Sequence, residues 1–154
     1  MIISFDDLYI DKQNGLDKLF YLKGNYPRLK VNIFVVPGRS NPDWLNCLKQ
    51  DWIVFGMHGW DHKRGELIEK CMLDQWVEDN GNKLYKSPWY DEIPENLDTL
   101  NNNGFTLVTY PEKKNHPVKQ VVLGKDDFRG HVWKPEDWER LEEVLKTNPN
   151  CELL

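Results

Sequence analysis

Two histidines stand four residues apart in His58-Gly59-Trp60-Asp61-His62, a spacing that brings both imidazoles to one side of a helical turn or a tight loop. There they can grip a single cation. One carboxylate added to the pair gives a His-His-carboxylate set that keeps coordination positions open for water and substrate. Asp7, from the adjacent pair Asp6-Asp7, is the natural third ligand. Neighbouring aspartates repel unless their roles are separated, and a metal on one with a proton or cation beside the other separates them. One then serves as ligand and the other as base. His131 sits among Phe128, Val132 and Trp133, a setting that makes its pKa sensitive to surroundings, as a general acid requires.

Each of these features also has a plainer reading. A histidine pair can be two surface or capping residues, Asp-Asp often just ends a strand, and a histidine in an apolar strand is often structural. Chemistry is favoured by where the elements put them. Met1 to Phe5 is a short apolar run that reads as a buried strand ending at Asp6-Asp7. Gly15 to Leu22 has helical spacing, and Val31 to Val36, closed by Pro37-Gly38, is the clearest strand. Asn41-Pro42-Asp43 caps a short helix through Leu48. Trp52 to Phe55 is a third apolar run ending at Gly56, and Gly65 to Val77 reads as a helix broken by Asn80-Gly81-Asn82.

Leu84 to Lys86 is a short strand running into Ser87-Pro88-Trp89-Tyr90, followed by a helix from Ile93 to Leu100 and a strand from Phe105 to Tyr110. Val118 to Leu123 and Phe128 to Val132 are later strands. Pro135 to Leu145 is a helix, with Glu136 and Asp137 near its positive end. Alternating strands and helices imply parallel pairing with right-handed crossovers, hence an α/β domain. Sites in such folds gather at the carboxyl ends of strands, where Asp6-Asp7, His58, His62, Ser87-Pro88-Trp89 and His131 all fall.

The chain has 154 residues, which suits one domain over 1–154, since a single core serves roughly 100 to 200 residues. With 40% apolar and 29% charged residues it has material for a core and no compositional case for disorder. The formal charge of −5, with no long basic run, argues against nucleic acid as a partner. No apolar run is long enough to span a membrane, and the acidic residues near the start argue against a signal peptide; both favour the cytoplasm. Cys47, Cys71 and Cys151 are too scattered for a disulfide framework or a zinc finger and suit reduced thiols. Trp44, Trp52, Trp76 and Trp138 lie on apolar stripes and read as core, whereas Trp60, Trp89, Tyr90 and Trp133 stand near the candidate residues and can stack on sugar rings. His116, in a polar loop, reads as solvated.

The chain resembles the polysaccharide deacetylase family, carbohydrate esterase family 4. Ser4-Phe5-Asp6-Asp7 is similar to that family's Thr-Phe-Asp-Asp motif, and Val31 to Gly38 to the strand that follows it. His58 to His62 resembles the His-(Ser/Thr)-x-x-His motif, with Gly59 in place of the hydroxyl residue. Lys86-Ser87-Pro88-Trp89 falls where the family has Arg-x-Pro-Tyr, and Gly130-His131-Val132 where a late Leu-x-His occurs. The resemblance implies a compact, deformed or incomplete (β/α) barrel. It also implies a hydrolase that removes an acetyl group from an N-acylated sugar or small amide. One divalent metal is implied, zinc first, with Co, Ni, Mn or Fe as alternatives, held by Asp7, His58 and His62. Asp6 becomes the base, His131 the acid, the Trp89 backbone N–H an oxyanion donor, and Lys86 the cation that keeps Asp6 ionised. Asp126 or Asp127 is expected to support His131. A binding protein without turnover, or hydrolysis of an ester or cyclic amide, stays open.

Overall fold

A computed structural model describes residues 1–10 and 15–154. Seven strands run parallel: β1 (Ile3–Leu8), β2 (Val31–Val35), β3 (Ile53–Met57), β4 (Leu84–Tyr85), β5 (Thr106–Thr109), β6 (Lys119–Val122) and β7 (Phe128–His131). Their order is β6-β5-β4-β3-β2-β1-β7, and the sheet curls into a half-barrel whose open side lies between β6 and β7. The helices are α1 (Leu16–Asn25), α2 (Pro42–Leu48), α3 (Lys70–Asn80), α4 (Pro94–Asn102) and α5 (Pro135–Thr147). This is the expected incomplete (β/α) barrel.

Both faces of the central strands are covered, which is why β2 reads as an unbroken apolar run with all five residues buried. Ile3, Phe5, Ile33, Val35 and Phe55 meet Leu19, Leu22, Leu73, Leu141 and Leu145 of the helices. The opposite face holds a smaller cluster of Phe34, Val108 and Leu123. Gly56 is required here by close approach, because a Cβ on it would lie 2.4 Å from the Phe34 ring. Below Phe34, buried Asn32 accepts from the Leu154 N–H at 2.9 Å and donates to the Ile3 carbonyl at 3.0 Å. Asn32 thus ties the amino ends of β1 and β2 to Leu154, and the candidate residues stand at the carboxyl ends.

Several expected boundaries move, and tertiary contacts explain three of the shifts. β1 does not stop at Asp6-Asp7 but continues to Leu8, because it is paired on both sides: Asp6 faces His131 of β7 and Leu8 faces Val35 of β2. β3 passes through Gly56 to Met57 for the same reason, between β2 and β4. The helix expected from Gly65 begins only at Lys70. Asn96 of α4 captures the preceding segment, accepting from the Ile68 N–H and donating to the Glu66 carbonyl, both at 2.7 Å. Elsewhere the Asn41 cap forms as expected, its side chain accepting from the Asp43 and Trp44 N–H groups. Trp52, Trp76 and Trp138 are buried, and Trp44 is partly buried against the core. None of the helices among the described residues is long and apolar enough to cross a membrane.

Helix α5 is anchored by Trp138, which stacks on Phe5 with ring centroids 4.0 Å apart and donates its indole N–H to the Val132 carbonyl. Trp138→Ala removes both contacts, and urea unfolding is expected to show a loss of about 3–5 kcal/mol.

Candidate metal centre

Side chains of adjacent strand residues normally point to opposite faces. Asp6 and Asp7 escape that rule because the β1–β2 register shifts between Phe5 and Leu8 and Asp7 takes a left-handed backbone, φ 65°. The resulting bulge turns both carboxylates into one cleft. That cleft, of about 320 Å³, is lined by Asp6, Asp7, His58, His62, Ser87, Trp89, Tyr90, Arg129, Gly130 and His131. Four of the five non-glycine residues with positive φ among the described residues line it, Asp7, His62, Trp89 and Tyr90. A larger cavity of about 630 Å³ opens at the other end of the strands, beside Lys49, Lys83 and Leu154. It contains none of the histidines.

Asp7 is the hub. Its Oδ1 lies 2.9 Å from His62 Nε2 and 3.4 Å from His58 Nε2, and one ligand atom from each residue falls within 4.8 Å of the others. These separations bracket the roughly 3.3 Å edge of a tetrahedron built on 2.0–2.1 Å bonds. The second carboxylate oxygen accepts from the Trp133 indole N–H at 2.8 Å. Burial alone would push the Asp7 pKa up, but hydrogen bonds from His58, His62 and Trp133 outweigh it and hold the carboxyl well below the usual range. His58 Nδ1–H donates to the Lys86 carbonyl at 2.8 Å, which fixes the ring with Nε2 toward Asp7; a cation between them would take the Nε2 lone pair in place of the proton that Asp7 otherwise accepts. A histidine fixed in this way is prepared to bind a cation, and the donor set fits a divalent metal.

The loop carrying both histidines is held by Glu66, which accepts from the Trp60 N–H at 2.8 Å and the Asp61 N–H at 2.5 Å. Gly59, φ 66°, leaves room for that carboxylate: a Cβ there would sit 2.6 Å from Glu66 Oε2. On the other wall, Lys86 is fully buried and donates to Asp6 Oδ1 at 2.7 Å and Ser4 Oγ at 2.9 Å. His131 is supported by neither Asp126 nor Asp127. Asp127 instead accepts from the Ile2 and Gly124 N–H groups. Asp137, in the first turn of α5, takes the role: its Oδ2 accepts from the His131 N–H at 2.8 Å and lies 3.3 Å from His131 Nδ1.

All seven sequence-derived residues therefore meet at this end of the sheet, Lys86 from behind Asp6 and the others on the cleft wall. The aromatic set divides. Trp89 is half exposed beside His62, with ring centroids 4.6 Å apart, and Tyr90 lines the cleft. Trp60 packs against the core and a separate groove near Pro37 and Leu45, while Trp133 binds Asp7. His116 is not solvated: its Nδ1 accepts from the Val118 N–H and its Nε2 lies 3.6 Å from Asp98. Glu66 escaped the sequence reading, as did the roles of Trp133, expected as a sugar-stacking face, on Asp7 and of Asp137, expected only as a first-turn acid, on His131. The signal for Asp137 was present, since a strand that feeds a helix after a short turn puts the first-turn carboxylate beside the strand end. Trp133 had none without the β1–β7 pairing.

The fold has clear relatives among solved structures. A family 4 carbohydrate esterase from Streptomyces lividans, in complex with acetate, superposes with a TM-score of 0.68 at 14% identity, covering 100% of this chain and 91% of that one. This chain has the family 4 carbohydrate esterase fold. An acetyl xylan esterase from Clostridium thermocellum, holding a cobalt ion, gives 0.61 at 16% identity over 99% of this chain and 86% of that one. A mutant of a family 4 pseudoenzyme with restored activity gives 0.59 at 11% identity over 95% and 61%. No protein-family model matches the sequence, and no curated protein matches it.

Glu66→Ala removes the acceptor of two loop N–H groups. Hydrogen exchange at Trp60 and Asp61 is expected to accelerate while the β2 and β3 amides stay protected, with a stability loss of about 2–3 kcal/mol by urea unfolding.

Proposed function

We propose that the chain is a metal-dependent hydrolase that removes an acyl group, acetyl first, from the amide nitrogen of an N-acylated sugar or a related small amide. The single observation that carries this reading is the convergence of Asp7, His58 and His62 within ligand distance of one another, beside a second aspartate and a histidine in the same cleft. Asp7, His58 and His62 would hold a divalent ion, zinc first, with Co, Ni, Mn or Fe as alternatives, which would supply Lewis-acid polarisation of the acyl carbonyl and a more acidic water.

The chain's own groups do the rest. Asp6, paired with Lys86, takes a proton from water as the water oxygen bonds to the acyl carbon. The backbone N–H of Trp89 steadies the oxyanion. His131, oriented by Asp137, gives a proton to the nitrogen as the C–N bond breaks, so that one water is consumed and one acid and one amine are released. Trp89 and Tyr90 offer aromatic faces for a sugar ring at the cleft mouth.

Two other readings have an observation behind them. The acetyl xylan esterase with this fold favours an ester bond, which the same groups can cleave. The pseudoenzyme and Lys86, which replaces the arginine of the family motif, favour a sugar-binding protein without turnover. Metal-loaded protein assayed on acetylated glucosamine oligomers, acetylated xylan and small acetyl or formyl amides separates the three. Amine release supports the proposal, acetate release from xylan alone supports the esterase, and inertness toward all of them defeats both.

Asp6→Asn is expected to keep its metal at one ion per chain while the hydrolysis rate falls by at least about 100-fold; full activity would remove Asp6 from the role of base. Trp133→Phe strips the donor from Asp7 Oδ2 and is expected to weaken zinc binding about 10- to 100-fold in a chelator competition.

A further inference from the structure

Arg129 lies two residues before His131 on β7 and pairs across the sheet with Ser4, as His131 pairs with Asp6. Residues two apart share a face of the strand, so its side chain projects to the same side as His131 and lines the cleft. It is half-buried. Its guanidinium carbon rests 4.1 Å from the centroid of the Tyr110 ring, across the open side of the half-barrel from β7. No carboxylate lies within ion-pair distance of it among the described residues.

The neighbouring charges are already committed. Asp6 is paired with Lys86, and Asp7 faces two imidazoles. Arg129 is thus the cation of the cleft with no acidic partner among the described residues. An aromatic face tempers its charge but supplies no lone pair to its five N–H donors. Two carboxylates against two cationic side chains cancel, so a divalent ion on Asp7, His58 and His62 leaves the cleft net positive, which draws anions and raises their local concentration. The guanidinium fork is the group best matched to a planar carboxylate.

We propose that Arg129 reads a carboxylate on the substrate, so that the preferred substrate is an acidic N-acyl sugar rather than a neutral one. This rests on the hydrolase reading above and narrows its substrate class. The carboxylate can sit on the acyl chain or on the sugar, and the two positions are told apart by separate probes.

Zinc-loaded protein is titrated calorimetrically, and assayed for amine release, with N-succinylglucosamine, N-acetylglucosaminuronic acid and neutral N-acetylglucosamine. At least one acidic compound is expected to bind at least about tenfold more tightly than the neutral one, as a charge-assisted pair provides, and which one does so locates the carboxylate. In Arg129→Leu the acid-to-neutral ratio falls to near one, and in Arg129→Lys it falls partway, since the charge stays and the fork is lost. Equal affinity for all three compounds overturns the proposal. So does an Arg129→Leu variant that weakens all three alike, which marks a bridge across the open edge and no recognition. Should Arg129→Leu fail to fold, Arg129→Lys carries the same comparison, and an unchanged ratio there with neutral binding equally tight overturns the proposal. Selective acid binding without amine release from any compound upholds Arg129 and defeats the hydrolase reading.

Discussion

Strand geometry forbids two consecutive residues from sharing a face, and the site exists because β1 breaks that rule once. The register slip after Phe5 and the left-handed backbone of Asp7 let one carboxylate meet the imidazoles while its neighbour turns to Lys86. A non-glycine residue in that region costs of order 1–3 kcal/mol unless its surroundings hold it. Here they do: β1 is clamped between β2 and β7, Trp133 takes one Asp7 oxygen, and two histidines face the other. The cost falls at the position where function would need it.

The supporting contacts come from elements far apart in sequence. His58 is set by the carbonyl of Lys86 after β4, His62 by a loop closed on Glu66, Asp7 by Trp133 after β7, and His131 by α5. Each fixes a side chain or its loop through backbone groups or buried donors. A cleft built this way is organised before any ligand arrives, which is what electrostatic stabilisation of a developing charge requires.

How much of this was legible in the sequence follows from the range of each interaction. Alternating apolar runs and helical stripes marked the strands and helices, because burial on both faces of a parallel sheet leaves a strong local pattern. The His58 and His62 spacing and the Asp6-Asp7 pair were visible for the same reason: each is short-range. The ends of β1 and β3 were not, since a strand that is paired on both sides runs on through Asp or Gly regardless of propensity. The start of α3 was set by Asn96, which belongs to another helix. Trp133 on Asp7 depends on β1 and β7 being neighbours, a fact that no window along the chain contains.

Lys86 illustrates how packing selects chemistry. A fully buried ammonium must be paired, and its partners here are Asp6, Ser4 and the faces of Phe34 and Tyr90, each ring centroid 5.2 Å from Nζ. Phe34 reaches that position only because Gly56 has no side chain, so the space beneath Asp6 is filled by an aromatic ring. A compact point charge fits the remaining gap, whereas a planar guanidinium needs width for its fork. The consequence is a single hydrogen bond to one Asp6 oxygen in place of a bidentate clamp. Among the described residues no other side chain donates to the Asp6 carboxylate, so its second oxygen stays open to a donor from the cleft.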